Sequence, residues 1–407
     1  MPTMRLCRLA LVVSACTLLA SRRPAAPSRH DVAFSMYRRH VGAAAATTAT
    51  IGKISRGTYP APREDMDFSS LGFGLTTRDT KMAVAKCKRG DQWAGFEVTP
   101  YGPMSMEPAA TALNYGQALF EGIKAYRTSQ GRIVIFRPQE NSKRMAGGAE
   151  RFLIPPVPEK LFLEMLGSVV RENADWVPPE GQGELYLRPL LLGSGGQLGV
   201  GPSSEFTFVI YAAPVGKYFK GGAKGGARMR LEKQHQRAAP LGTGWVKAAG
   251  NYAPCFQAQA NAKADGFGDV IYLDVTATNI EEAAASNFFC VTKDGVVKTP
   301  PLGTILAGVT RKSVITLGSE LAKKKDSLIK AAREEALTVD DVAKANEAFV
   351  CGTGAGLTPI EEIHEVSTFE CPGKVTQELQ KALAAVKMES DDALDGFSDW
   401  LWDPWSD

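Results

Sequence analysis

Histidine is nearly missing from these 407 residues. His30, His40, His235 and His364 stand far apart, and none forms an HExxH-type pair. Metal catalysis is therefore not expected. Cys7, Cys16, Cys87, Cys255, Cys290, Cys351 and Cys371 include no CxxC pair, which reads as reduced thiols and argues against a disulfide framework or a zinc site. The longest nearly apolar run, Leu9 to Ala20, falls short of the ~20 residues a membrane-spanning helix needs. No sign of charge dominates: 47 Lys and Arg against 44 Asp and Glu leave a formal charge of +3. Neither nucleic acid nor a membrane is an expected partner. No internal repeat is visible.

What is there is ordinary soluble-protein material, 44% hydrophobic and 22% charged. The length suggests two domains of roughly 150 to 200 residues. Residues 1–63 are rich in Arg, Ala, Ser and Thr and hold a single acid, Asp31. That is the chemistry of a targeting segment, to be set apart from the fold. The apolar run behind Arg5 and Arg8, followed by a second basic stretch, suits a two-part plastid address; a mitochondrial presequence is the rival. An organelle is expected, with the mitochondrion placed ahead of the plastid. The expected plan is then a small N-terminal domain over 64–216, a glycine-lysine linker over 217–226, a large domain over 227–388, and an acidic tail over 389–407. The tail carries Trp400, Trp402 and Trp405; it is expected to be a disordered end, with a docking segment as the alternative.

Periodicity places a helix-like piece running into a strand over 113–126 and an apolar strand over 132–137 closed by Pro138. Asn141 reads as an N-cap, setting Arg144 in the first turn, where a cation opposes the helix dipole unless it faces a bound anion. An amphipathic helix is expected over 158–176 and strands over 184–192 and 205–212. Arg188 inside the first of these strands needs an anion or a cavity. Beyond the linker, a strand over 269–274 and a hairpin pairing 287–291 with 296–298 are expected. Helices follow over 308–324, from Thr338, and over 375–388, the last burying Val375, Leu379, Leu383 and Val386. A strand over 347–351 runs into a tight turn at 352–356.

Lys247 lies in Trp245-Val-Lys-Ala-Ala-Gly-Asn-Tyr252, among small and apolar residues. A dry setting disfavours the charged amine, and a neutral amine attacks carbonyls; a lysine on a glycine-rich surface loop would look the same. Its company decides. Glu282 offers a carboxylate, Tyr252 a phenol, and the amides of Val309 and Thr310 stand at a helix N-terminus suited to phosphate. The turn Gly352-Thr-Gly-Ala-Gly356 brings further N–H groups. These are the parts that pyridoxal phosphate requires: an amine for its aldehyde, a carboxylate for its ring nitrogen, a phenol for its ring oxygen, and a phosphate cup.

The chain resembles the class IV aminotransferases over Glu282-x-Ala284-x-x-Asn287-Phe-Phe289, Val297-x-Thr299 and Leu306-x-Gly308-Val309-x-Arg311. Over roughly residues 65–388 it is similar to the branched-chain amino acid aminotransferases, through Phe120-Glu-Gly-Ile-Lys124, Leu185-Tyr-Leu-Arg-Pro189 and Lys247-x-x-Gly-Asn-Tyr252. The resemblance implies a fold-type IV architecture, α/β of the α+β kind, with two α/β domains and pyridoxal 5'-phosphate at their interface. It implies a homodimer whose partner chain helps close each site. Lys247 would hold the cofactor and move the substrate proton. Tyr252 would meet the ring oxygen, Glu282 the ring nitrogen, and Arg144, Val309, Thr310 and Thr353 the phosphate side. Tyr115, Phe120, Tyr186, Arg188, Gly354, Ala355 and Gly356 would form the substrate side. The reaction implied is transfer of the amino group of leucine, isoleucine or valine to 2-oxoglutarate, giving branched-chain 2-oxo acids and glutamate. Two departures stand out. The CxxC that mammalian members carry after the turn is replaced by Leu357 and Ile360, and Ala285 stands where they have threonine. Within the same fold, D-amino-acid transamination or aminodeoxychorismate lyase chemistry would keep Lys247 and Glu282. A dinucleotide turn at 352–356 fails on its third glycine and on Pro359.

Overall fold

The computed structural model describes residues 59–219 and 225–406. The expected targeting segment lies outside the described residues up to position 58, as does the middle of the linker. Its last residues are part of the fold: the Tyr59 hydroxyl donates to Asp403 at 2.6 Å, and the Arg63 guanidinium stacks 4.3 Å over the Trp176 ring.

Chain order gives strands β1 (Lys81–Lys88), β2 (Glu97–Pro100), β3 (Ala118–Phe120), β4 (Ile123–Arg127), β5 (Ile133–Phe136), β6 (Glu184–Gly193) and β7 (Glu205–Val215). With β18 (Leu401–Trp402) they form one sheet in the order β18-β5-β4-β6-β7-β1-β2, with β3 also on β6. Its pairings are antiparallel. Helices α1 (Thr111–Tyr115), α2 (Pro138–Arg151) and α3 (Glu159–Glu172) belong to this half. The apolar stripe of α3, Phe162, Met165, Leu166 and Val169, packs with Phe206 and Phe208 of β7. Each such side chain contributes roughly 2 kcal/mol through burial.

The second half holds β8 (Ala227–Glu232), β9 (Asp269–Leu273), β10 (Asn279–Ala283), β11 (Asn287–Val291), β12 (Val296–Thr299), β13 (Ala331–Glu334), β14 (Leu337–Thr338), β15 (Glu347–Gly352), β16 (Gly356–His364) and β17 (Ser367–Thr368). An added β10–β11 pairing closes the circuit β11-β15-β16-β8-β9-β10. All six strands supply one apolar cluster, including Met229, Ile271, Ile280, Phe288, Val350 and Ile360. Helices α5 (Val309–Leu321) and α7 (Lys374–Met388) cover Phe289 and Phe349 with Val314, Leu317, Leu379 and Leu383. Two shorter helices, α4 (Cys255–Ala264) and α6 (Val339–Ala343), complete the set; Thr338 and Asp341 form a capping box on α6.

Two expectations need correction. Asn141 does not cap α2: the helix opens at Pro138, whose ring presets the first helical φ, behind Arg137 at φ 50°. Asn141 sits inside the helix and donates to the buried Glu121 carboxylate at 2.8 Å, which puts Arg144 in the second turn. The acidic tail, in turn, is folded onto its own chain. Leu401 and Trp402 pair with β5, and buried Trp400 meets Phe136 and Phe397 edge-on. Its aromatic rings outweigh its acidic composition, since each ordered ring removes a large apolar area from water.

Candidate active site

The segment around Lys247 is irregular, and side-chain bonds fix it. Asn251 donates to the carbonyls of Thr243 at 2.7 Å and Val246 at 2.9 Å, and accepts from the Thr243 hydroxyl. The Lys247 carbonyl accepts from Phe120 N–H at 3.1 Å, tying this loop to β3. Lys247 Nζ then stands 3.1 Å from the Tyr252 hydroxyl and 4.6 Å from the centre of the Phe120 ring. It faces a cavity of about 340 Å³ that Glu282 also lines.

Glu282 leaves β10 just before the turn into β11 and is 2% exposed. Three donors hold it: Arg237 Nη1 at 2.6 Å, Leu306 N–H at 3.1 Å, and Asn287 Nδ2 at 3.0 Å. Asn287 faces Glu282 across the β10–β11 pairing and is itself anchored on the Leu306 carbonyl at 2.9 Å. Burial pushes the Glu282 carboxyl up to about 6, against the pull of Arg237 and the Leu306 N–H. The carboxylate is thus oriented, charged at neutral pH, and short of water.

A second wall of the cavity is a helix N-terminus. Val309 and Thr310 begin α5, which has no side-chain cap and no acid in its first turn. Its first amides have no partner within the helix. Arg144 comes from α2 and pairs along one edge with both oxygens of Glu121, Nε and Nη2 each donating at 2.7 Å, while Nη1 donates to the Ala307 carbonyl at 2.8 Å. Burial works against the Arg144 charge, and Glu121 more than offsets it. The end is closed by Thr353 and its turn.

A third wall is aromatic. Tyr186 and Arg188 project from β6 on the same face, with Arg188 Nη2 3.3 Å from the Tyr186 hydroxyl and its guanidinium 4.9 Å over Phe120. Arg188 Nε is buried without a partner. Gly122 leaves room for Tyr186, because a Cβ there would come 2.1 Å from the Tyr186 hydroxyl and the ring would have to move. Phe73 meets both Tyr186 and Tyr218 edge-on.

Lys247, Arg144, Tyr252, Glu282, Val309, Thr310, Thr353, Phe120, Tyr186, Arg188, Gly354 and Ala355 all line the one cavity. Tyr115 and Gly356 do not. Tyr115 is 41% exposed, its hydroxyl bonded to the Leu198 carbonyl, and Gly356 opens β16 at φ 63°. Sequence reasoning passed over Arg237, Phe73 and Tyr218, and gave no role to Glu121, Ser286 and Asn287. Glu121 carried a signal, an acid within the apolar stretch from Leu119 to Ile123. Arg237, in a polar loop after Gln236, carried none.

The family model for amino-transferase class IV matches residues 118–363. The branched-chain-amino-acid aminotransferase of Helicobacter pylori (strain J99) is 41% identical over 84% of this chain and 98% of that protein. Branched-chain-amino-acid aminotransferase 1, mitochondrial, of Arabidopsis thaliana is 39% identical over 87% of this chain and 92% of its own. The T.th. branched-chain amino acid aminotransferase solved with pyridoxamine 5'-phosphate superposes with a TM-score of 0.66 at 26% identity, over 79% of this chain and 98% of that one. The Escherichia coli enzyme gives 0.65 at 29% identity, over 76% and 97%. With one amine, one buried carboxylate and one uncapped helix end around a single cavity, and with 41% identity over 98% of the Helicobacter pylori relative, this chain belongs to the class IV aminotransferases and, within them, to the branched-chain amino acid aminotransferase family.

Proposed function

We propose that the cavity holds pyridoxal 5'-phosphate and that the protein transfers the amino group of L-leucine, L-isoleucine and L-valine to 2-oxoglutarate. The observation that carries this is the placing of the Lys247 amine and the Glu282 carboxylate in one cavity. The residues fit the cofactor on their own terms: an uncapped helix start suits a phosphate, and the Ser286 hydroxyl, on the cavity wall, is buried with no partner.

When bound, the cofactor supplies an aldehyde for the amino group and a ring that draws electrons from the substrate Cα. Lys247 would hold that aldehyde, and its Nζ would carry the substrate Cα proton. The Tyr252 hydroxyl, 3.1 Å away, steadies the amine and would meet the ring oxygen. Glu282 would keep a proton on the ring nitrogen, and Arg237, Asn287 and the Leu306 N–H keep Glu282 aimed. Val309, Thr310, Thr353 and Arg144 serve the phosphate side, and the amides of Gly354 and Ala355 the substrate carboxylate. Phe120, Tyr186 and their aromatic neighbours take the branched alkyl group. The free Nε of Arg188 suits the second carboxylate of 2-oxoglutarate.

The working unit is a homodimer. Leu198 (91% exposed), Val200 and Leu113 are large apolar side chains that a monomer would leave in water, and the Leu198 carbonyl accepts from the Tyr115 hydroxyl. Tyr115 serves the partner's cavity from there. The Arabidopsis relatives named as mitochondrial and chloroplastic support an organellar address for this chain. Among the described residues no helix is long and apolar enough to cross a membrane.

The purified protein is expected to show cofactor absorbance that changes on adding L-leucine and not D-alanine, and to make glutamate from 2-oxoglutarate. Lys247→Ala removes the band and nearly all turnover. Turnover persisting in that variant ends this reading.

A further inference from the structure

Behind the α5 start lies a second, much smaller cavity of about 10 Å³, the space of one water. Val309, Thr310, Thr353 and Gly122 line both cavities, so the two share a wall at the phosphate end. Lys387, from the last turn of α7, lines the small one, and its amine stands over two aromatic rings. It lies 5.2 Å from the Tyr126 ring centre and 5.0 Å from that of Phe136, both buried. Among the described residues it has no hydrogen bond and no ion pair. Around it stand Lys124 and Tyr126 from β4, Glu184 from β6 and Cys351 from β15. Lys124 already occupies Glu184 at 3.2 Å, so the nearby acid is taken.

A partly enclosed ammonium with no hydrogen-bonded anion is costly, and the one carboxylate near it, Glu184, is held by Lys124. The missing anion is on the other side of the shared wall. We propose that Lys387 is a binding group for the phosphate end of the main cavity, acting through the small cavity with a water as the bridge. This rests on the reading of the main cavity as a pyridoxal 5'-phosphate site and adds a charge to it that the motifs do not contain. It also makes cofactor binding depend on pH. Burial, aided by Lys124, lowers the Lys387 amine to about 8. Its proton is therefore present at pH 7 and lost as the pH rises through the next two units.

The test compares apoenzyme binding of pyridoxal 5'-phosphate with that of pyridoxal, which lacks the phosphate, in wild type, Lys387→Met and Lys387→Arg. At pH 7, Lys387→Met is expected to bind the phosphorylated cofactor roughly tenfold more weakly, the size of one partly screened charge contact, with pyridoxal nearly unaffected. Lys387→Arg stays near wild type, and the difference between wild type and Lys387→Met closes by pH 9.5. Unchanged affinity for the phosphorylated form, or an equal loss for both ligands, overturns the proposal and leaves the main site standing. A wild-type apoenzyme that takes up neither ligand removes both.

Discussion

Arg237 and Glu282 are each 2% exposed on their side chains and separated by 2.6 Å. Breaking such a pair leaves a charge stranded in the interior, which typically costs ~3 kcal/mol or more. Arg237→Met is therefore expected to lower the denaturant midpoint clearly at pH 7.5. The sign of its pH dependence follows from the carboxyl. Folding raises Glu282 to about 6, so folding favours its protonated form; that contribution is present below the unfolded value near ~4.3 and is lost as pH rises through 6. Without Arg237 the carboxyl rises further. The variant's stability deficit should then shrink on going from pH 7.5 to pH 5, and the acid limb of its activity should move upward. A deficit that grows on acidification would show that Arg237 does not act through Glu282. A second test reaches the same carboxylate from its other side: a Cβ on Gly308 would lie 2.0 Å from Asn287 Oδ1. Gly308→Ala must push Asn287 off Glu282, and is expected to slow the amino-transfer half-reaction with far less effect on unfolding than Arg237→Met.

Among the elements, α7 shows how its position is enforced. Its N-cap, Gly373, contributes no side chain, and the cap arrives instead from β15. Glu347 is 2% exposed and accepts from Val375 N–H at 3.0 Å and from Thr376 through N–H at 2.8 Å and hydroxyl at 2.7 Å. Glu347→Ala is expected to cost ~2–3 kcal/mol in chemical unfolding, the sum of a lost cap and orphaned donors, with the Michaelis constant for leucine unchanged. A loss below about 0.5 kcal/mol would show water serving those donors equally well. This element also marks where the sequence was legible. The stripe Val375, Leu379, Leu383 and Val386 announces a helix and its buried face, as the strands of β6, β7 and β11 announce theirs through apolar runs between turn residues. Glu347, a strand acid, announces nothing, because its partners lie some 28 residues on. The site divides in the same way. Lys247, Glu282 and the α5 start were legible because each lies in a short contiguous motif, Lys247-x-x-Gly-Asn-Tyr252, Glu282-x-Ala284-x-x-Asn287 and Leu306-x-Gly308-Val309-x-Arg311. Asn141 misled because a good capping residue also makes a good ligand for a buried carboxylate, and Pro138 had already opened the helix.

At the scale of the whole molecule, the tail that reads as a loose acidic end ties the two sheets together. From the end of α7, Glu389 pairs with Arg132, and Asp403 takes Arg132 at 3.1 Å and Tyr59 at 2.6 Å. Between these points Trp400 packs under Arg137, 4.1 Å from guanidinium to ring centre. Arg137 precedes α2, which carries Arg144, and its Nη1 donates to Ser313 of α5 at 2.8 Å. Trp400 therefore braces a contact between the two helices that serve the phosphate end, from opposite halves of the chain. Trp402 does something narrower: it lies against Gly167 of α3, where a Cβ would come 2.9 Å from its ring, and so stays within the first half. Replacing either tryptophan by alanine removes a large ring, at a cost of ~3–5 kcal/mol where the ring is fully buried and less where it is not. Trp400→Ala alone should also loosen α2 from α5, so its cofactor should dissociate several-fold faster at 25 °C, measured by dilution of the loaded enzyme. Trp402→Ala should melt earlier and keep the wild-type release rate. Equal release rates in the two variants would reduce the tail to a cover for the first sheet, and faster release in Trp402→Ala than in Trp400→Ala would place the brace on α3 instead.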